Sequence, residues 1–210
     1  MIVIINPNST VSMTDAMVVT ALNVAPDENI VGWTSTDGPP AIQGKQDGDA
    51  AIPPLLELVR KADEAGAKAI IIGCFDDTGL DAARTLASCP VIGIGQAAYH
   101  LAALYGPRFS VVTTLDVSIP ILAANIKSYG LDANLSRVRA SGVPVLALED
   151  DRERATQQVK AEIGTAIRED AINSVVLGCA GMVHITEDRG GTSVKLIDGV
   201  HAAVHFARLF

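Results

Sequence analysis

Residues 71–80 read IIGCFDDTGL and residues 175–182 read VVLGCAGM: two β-branched runs, each closing on Gly-Cys before small or polar residues. The two cysteines, Cys74 and Cys179, stand 105 positions apart in a chain of 210 residues. The same interval pairs Pro39 with Pro144, Asn8 and Ser9 with Thr113 and Thr114, and the run at 91–94 with 196–199. It also pairs Ala97, Ala98 and His100 with Ala202, Ala203 and His205. One ungapped offset through strand, turn, Cys-bearing strand and final helix marks an internal duplication. It limits the fold to two tandem copies of one unit.

Periodicity describes that unit. Strand candidates are residues 2–5, 30–34, 68–73, 91–94, 109–113, 137–140, 174–178 and 194–197. Helix-like spacing of Leu, Ile, Val and Ala covers 47–65, 79–88, 96–105, 117–129, 150–171 and 199–209. The strand runs are continuously apolar rather than alternating, which suits strands covered by helices on both faces. The expected fold is α/β: two pseudo-symmetric tandem domains, each a mostly parallel four-stranded sheet flanked by helices. The expected division is 1–95 plus 200–210 for the first domain and 96–199 for the second. Ligands of open α/β sheets bind beyond the carboxyl ends of the strands. Two copies facing each other about a pseudo-twofold axis would aim those ends, and both thiols, into one cleft.

Composition narrows the function. Hydrophobic residues make up 49% of the chain, enough for a sizeable core without staples. Three cysteines are too few for a disulfide framework, so the thiols are expected to be reduced and the protein cytoplasmic. Sixteen basic residues against 24 acidic leave a net charge of −8, and no run of Lys or Arg exceeds two. Nucleic acid and acidic membrane surfaces need clustered cations and are set aside as partners. The opening MIVIINPNST has no basic region and a short apolar run, unlike a signal peptide or a spanning helix.

Two thiols on opposite sides of one ligand suggest inversion of a stereocentre that carries an acidic C–H. One group removes the proton from one face and the other delivers a proton to the opposite face. Amide N–H groups of turns and helix starts after each cysteine would stabilise a thiolate and an enolate oxygen. A single cysteine at a strand end is usually a small core residue. Two at matched strand ends carry the chemical reading, whereas Cys89, before Pro90 at a strand entrance, reads as structural. Of Asp76 and Asp77, one is assigned to capping the following helix, and Asp77 is kept as a neighbour of the site. Asn8, Ser9 and Thr10 serve equally as caps or as ligand contacts, and so do Thr113 and Thr114. Thr78 is a further donor, and the GPPAIQG loop at 38–44 is a candidate cover. His184, five residues past Cys179, ranks second, while His100, His201 and His205 fall on Ala-rich helices as surface or packing residues. There is no zinc spacing, HExxH, Walker loop, GxGxxG or GxSxG, so no metal or nucleotide cofactor is expected.

INPNST at 5–10, GCFDDTGLDAAR at 73–84, VIGIGQAAYHLAALYGPRFSVVTTL at 91–115 and VVLGCAGM at 175–182 resemble the aspartate/glutamate/hydantoin racemase superfamily. Within it they are similar to the hydantoin and allantoin racemase branch. The resemblance implies two similar α/β domains, a site between them, no cofactor, and Cys74 and Cys179 as the acid and base. The branch commonly has Glu where this chain has Gln96. Amino-acid racemases of the superfamily place Asn after the first cysteine and Thr-His after the second. Here Phe75 and Ala180-Gly181 stand there, which points away from a free amino acid and toward a neutral hydantoin-like ring inverted at C5. The rival readings are a single-cysteine decarboxylase or cis-trans isomerase of a small dicarboxylate, an aspartate or glutamate racemase, and a non-catalytic small-molecule-binding protein. The sequence leaves assembly into a homo-oligomer open.

Overall fold

Continuous apolar runs become strands with both faces covered. A computed structural model describes residues 1–187 and 193–210 and places them on two four-stranded sheets. The first sheet holds β1 (Ile2–Asn6), β2 (Ile30–Thr34), β3 (Ala69–Ile72) and β4 (Val91–Gly93) in the order β2-β1-β3-β4, all parallel. The second holds β5 (Phe109–Thr113), β6 (Leu135–Ala140), β7 (Ser174–Gly178) and β8 (Lys195–Ile197) in the equivalent order, again parallel. Every residue of β1, β3, β5 and β7 is buried.

The helices are α1 (Val11–Val24), α2 (Lys45–Glu64), α3 (Leu80–Leu86), α4 (Ile94–Tyr105), α5 (Ile119–Ser128), α6 (Ala147–Asp150), α7 (Arg152–Glu169) and α8 (Gly199–Ala207). A 3-10 helix, Ala180–Glu187, follows β7. Two of these, α1 and the short α6, were not among the expected helices. In α1 apolar residues occur all round: Met13, Met17 and Ala21 are buried, but Val11 and Val19 are exposed, so no clean stripe shows in the sequence. Among the described residues no helix is long and apolar enough to cross a membrane.

The duplication is visible in the sheets, with one correction. The 105-residue interval holds for β3 with β7, β4 with β8 and the starts of α4 and α8. It fails in the first strands. Ile2 lies opposite Ala69 and Phe109 opposite Ser174, so Phe109, not residue 107, takes the place of Ile2. Thr113 is thus the counterpart of Asn6, and the expected pairing of Asn8 and Ser9 with Thr113 and Thr114 does not hold. The cause is a path from first to third strand that is two residues shorter in the second copy, where the ten-residue α5 replaces the fourteen-residue α1.

Three apolar layers follow. The largest lies between the sheets and joins Ile2, Ile4 and Ile71 from the first with Phe109, Val111 and Val176 from the second. The middle helices supply Tyr99, Ala98 and Val204 to it. Here α4 contacts α8 and lies against β7 and β8, while α8 lies against β3 and β4. Tyr99, fully buried, stacks on Phe109 at 6.1 Å and meets Phe75 edge-on at 5.5 Å. The outer layers pack Leu55, Val59 and Leu80 against the first sheet and Val159 and Ile163 against the second.

Candidate active site

In both sheets the strand order reverses beside the first strand, so the crevice at the carboxyl ends opens between β1 and β3 and between β5 and β7. Cys74 and Cys179 sit there, one residue past Gly73 and Gly178. Each glycine is there for close packing. A Cβ on Gly73 would lie 2.7 Å from Met17 Sδ and 3.2 Å from the Ile5 carbonyl; one on Gly178 would lie 3.0 Å from Thr113 Cα. The Gly-Cys pair therefore lets the strand end press against its neighbour and then turns the sulfur into the cleft.

Both cysteines line a single cavity. The first half contributes Asn8, Met13, Ile42 and the Gly73–Asp76 turn; the second contributes Thr114, Ser118, Val145 and the Gly178–Gly181 turn. Space between the walls, open mouth included, is about 400 Å³. Among the described residues none of the lining side chains is cationic. Ile42 comes from the 38–44 loop, and the neighbouring Gln43 accepts a hydrogen bond from Val145 N–H at 2.9 Å, joining the two halves across the mouth.

Ser9, Thr10 and Thr113 support this cavity without lining it. Ser9 N–H donates to Pro39 O at 2.9 Å and the Thr10 hydroxyl to Pro40 O at 2.7 Å, so both hold the 38–44 loop. Thr10 is the N-cap of α1 but makes no capping bond through its side chain; Asn8 Oδ1 accepts from Thr10 N–H instead. The Thr113 hydroxyl donates to Gly178 O at 2.9 Å and ties the ends of β5 and β7. Phe75 borders the cavity, yet its ring belongs to the core against Tyr99. His184 is within 2.9 Å of the Thr156 hydroxyl on α7, and Gln96 accepts from Arg84; neither lines the cavity.

The two aspartates after Cys74 exchange the places expected of them. Asp77 is buried, with φ of +50°, and its carboxylate accepts from Gly95 N–H at 3.0 Å and Gln96 N–H at 2.8 Å at the start of α4. The Tyr129 hydroxyl donates to it at 2.9 Å. It is a helix cap, but for α4 rather than for α3. A Cβ on Gly93 would lie within the space of this carboxylate, so the GIG at 93–95 cradles an anion from its own chain. Asp76 is the one that lines the cavity. Its backbone carbonyl is held by Asn125 Nδ2 at 2.8 Å, and its buried Oδ2 has no hydrogen-bond partner among the described residues.

Electrostatics follow from this placement. Burial pushes the Cys74 thiol up to about 12, and the charge of Asp76 adds to the rise. The Thr78 hydroxyl, 3.3 Å from the sulfur, and the N–H groups of Asp76 and Thr78 oppose it. Burial likewise pushes Cys179 up to about 12, opposed by Gly181 N–H and assisted by Asp76 and Glu149. Asp76 is raised to about 6 by burial. Asp77 is raised to about 7 by burial, against its three donors. Such thiols are rarely ionised near neutrality, but each is a strong base when it is.

Sequence reasoning passed over Asp76, Met13, Ser118 and Val145 as lining residues. They converge only when separate loops meet.

Residues 2–207 match the family model described as Asp/Glu/Hydantoin racemase. A hydantoin racemase of Rhizobium meliloti is 44% identical over 206 residues, 97% of this chain and 86% of that protein. The structure of an allantoin racemase from Klebsiella pneumoniae superposes with a TM-score of 0.95 at 37% identity, covering 99% of this chain and 86% of that one. An allantoin racemase from Pseudomonas fluorescens gives 0.93 at 34% identity, covering 99% and 89%.

Proposed function

We propose, on the premise that this chain belongs to the Asp/Glu/hydantoin racemase family, that it inverts the C5 stereocentre of 5-substituted hydantoins or allantoin through two cysteines. The chain is an enzyme, an isomerase of the racemase type. The observation that carries the two-cysteine reading is that Cys74 and Cys179, from equivalent strand ends of two repeats, line one cavity. In this reading the thiols belong to separate units, residues 1–95 with 200–210 and residues 96–199.

The steps balance with one proton shared between the two sulfurs. One cysteine enters as thiolate and the other as thiol. The thiolate takes the C5 proton, and the C–H electron pair spreads onto the adjacent ring carbonyl as an enolate. The opposite thiol then protonates C5 on its other face, and the sulfurs finish with their roles exchanged. Because both thiols are raised, each thiolate is a strong base, better matched to a weak carbon acid than an ordinary thiolate. Thr78 and the N–H groups of Asp76, Thr78 and Gly181 hold the sulfurs and steady their negative charge. The reaction transfers no electrons to or from the substrate, so the proposal requires no redox cofactor. A neutral ring fits a wall of Asn, Thr, Ser and backbone amides, whereas a carboxylate would be buried there unpaired.

The test uses an enantiopure 5-monosubstituted hydantoin, or allantoin, in D₂O, followed by polarimetry and by loss of the C5 proton signal. Cys74→Ser and Cys179→Ser should each abolish racemisation, while each retains exchange of the C5 proton in a single enantiomer. Cys89→Ser should keep most activity. Racemisation at near parental rate in either Cys74→Ser or Cys179→Ser overturns the mechanism. Faster turnover of free aspartate, glutamate or alanine overturns the substrate class.

A further inference from the structure

The cavity contains one buried side-chain oxygen that no described residue satisfies. Asp76 lines it, and its Oδ2 is buried without a hydrogen-bond partner among the described residues. An orphaned buried acceptor is costly, and more so when it is charged. Apart from Asp76 the walls are uncharged: Asn, Thr, Ser, Cys, Gly and apolar residues. No cation among the described lining residues is placed to pair with it. The turn that carries it is held from behind, by Asn125 on the Asp76 carbonyl and by Asp77 on the start of α4. The carboxylate is thus held in position by its backbone while its own oxygen waits for a donor.

The location of that oxygen selects the donor. Asp76 is two residues from Cys74 and lines the same cavity as both sulfurs. A substrate atom on which both sulfurs act lies in that cavity, so an N–H beside that atom is a donor within reach of the same wall. In a hydantoin ring the N–H next to the stereocentre is that of N1, whereas the N3–H lies across the ring between the two carbonyls. Resting on the ring-substrate reading above, we propose that Asp76 accepts a hydrogen bond from the ring N1–H and so fixes which way round the ring lies between the two sulfurs.

Binding of compounds that lack a C5–H separates recognition from chemistry. Calorimetry would compare 5,5-dimethylhydantoin with its N1-methyl and N3-methyl derivatives, on the parent enzyme and on Asp76→Ala and Asp76→Asn. A hydrogen bond to a charged acceptor corresponds to roughly tenfold to a hundredfold in affinity. The parent should lose that factor on N1 methylation and much less on N3 methylation. Asp76→Ala should bind the unmethylated ring weaker by a similar factor, and its N1-methyl penalty should disappear; Asp76→Asn should fall between. Both variants should be at least as heat-stable as the parent, since the buried Oδ2 has no partner among the described residues. An N1-methyl penalty that persists in Asp76→Ala, or unchanged ring binding by that variant, overturns the assignment while leaving the racemase reading intact. A parent that neither binds nor racemises the rings overturns both.

Discussion

After Cys74 the chain reads Phe75, Asp76, Asp77 and Thr78; after Cys179 it reads Ala180, Gly181, Met182 and Val183. Both turns leave equivalent strands and bring a sulfur to the same cavity, but they are anchored in opposite ways. The first is held by polar bonds, with buried Asp77 accepting from the start of α4 and from Tyr129. The second is held by packing: Met182 is fully buried against the α6–α7 side of the second sheet, and a Cβ on Gly181 would already lie 2.9 Å from Leu148 Cδ1. Both thiols nevertheless reach about 12, because burial is the leading cause for each. The duplicated strands determine where the sulfurs lie, and the turns have been free to diverge in how they are held.

That contrast can be broken in order of expected size. Asp77→Ala leaves two helix-start amides and a phenol unpaired in a buried place and should cost about 2–4 kcal/mol of stability. Met182→Ala should cost a comparable amount through the cavity it opens, so pH must tell them apart. The folded-state value of Asp77 is raised to about 7, so between about 4 and 7 the folded chain holds a proton that the unfolded chain has lost. Its contribution is therefore present at low pH and lost as pH rises through about 7. Denaturant titrations at pH 5 and 7.5 should show the parent and Met182→Ala losing stability on going up, and Asp77→Asn losing less. Equal slopes in all three would remove the distinction between the turns.

A smaller effect concerns the two sulfurs together. With both thiols at about 12, kcat/KM should climb about tenfold per pH unit between pH 7 and 9 without levelling near an ordinary thiol value. A plateau by pH 8.5 would mean that the free enzyme keeps a thiolate. The smallest effect separates the sulfurs. Asp76 raises both thiols, but it stands in the turn of Cys74, two residues on, whereas Cys179 belongs to the other half of the chain. In a Cys89→Ser background, Asp76→Asn should speed alkylation of Cys74 more than that of Cys179, read by peptide mass spectrometry. Equal acceleration would place Asp76 midway between the sulfurs.

The strands were legible because a strand covered on both faces must be apolar at every position, as at Ile70–Ile72 and Val175–Leu177. The cysteines were legible because duplication repeats a position as well as a residue. Asp76 and Asp77 were not, for a physical reason. A cap is inferred from the helix that follows it in sequence, but the helix start that Asp77 serves belongs to α4, beyond α3 and β4. Likewise Ile42 and Val145 lie in loops more than a hundred residues apart, and only the approach of the two sheets puts them on one cavity wall. The first-strand register slipped because the path from first to third strand is two residues shorter in the second copy, which an ungapped comparison cannot represent.

The layer of side chains shared by the two sheets has a consequence for how the molecule comes apart. Ile2, Ile4, Tyr99, Phe109, Val111 and Val176 form one apolar cluster, with α4 and α8 wedged through its middle. Neither sheet can lose its inner covering without stripping the other, so the duplicated halves should melt as a single cooperative body despite their separate hydrogen-bonded frameworks. A half-length fragment would expose that inner face to water and could recover it only by pairing with a second copy. Duplication within one chain turned a contact of that kind, which depends on concentration, into one that does not.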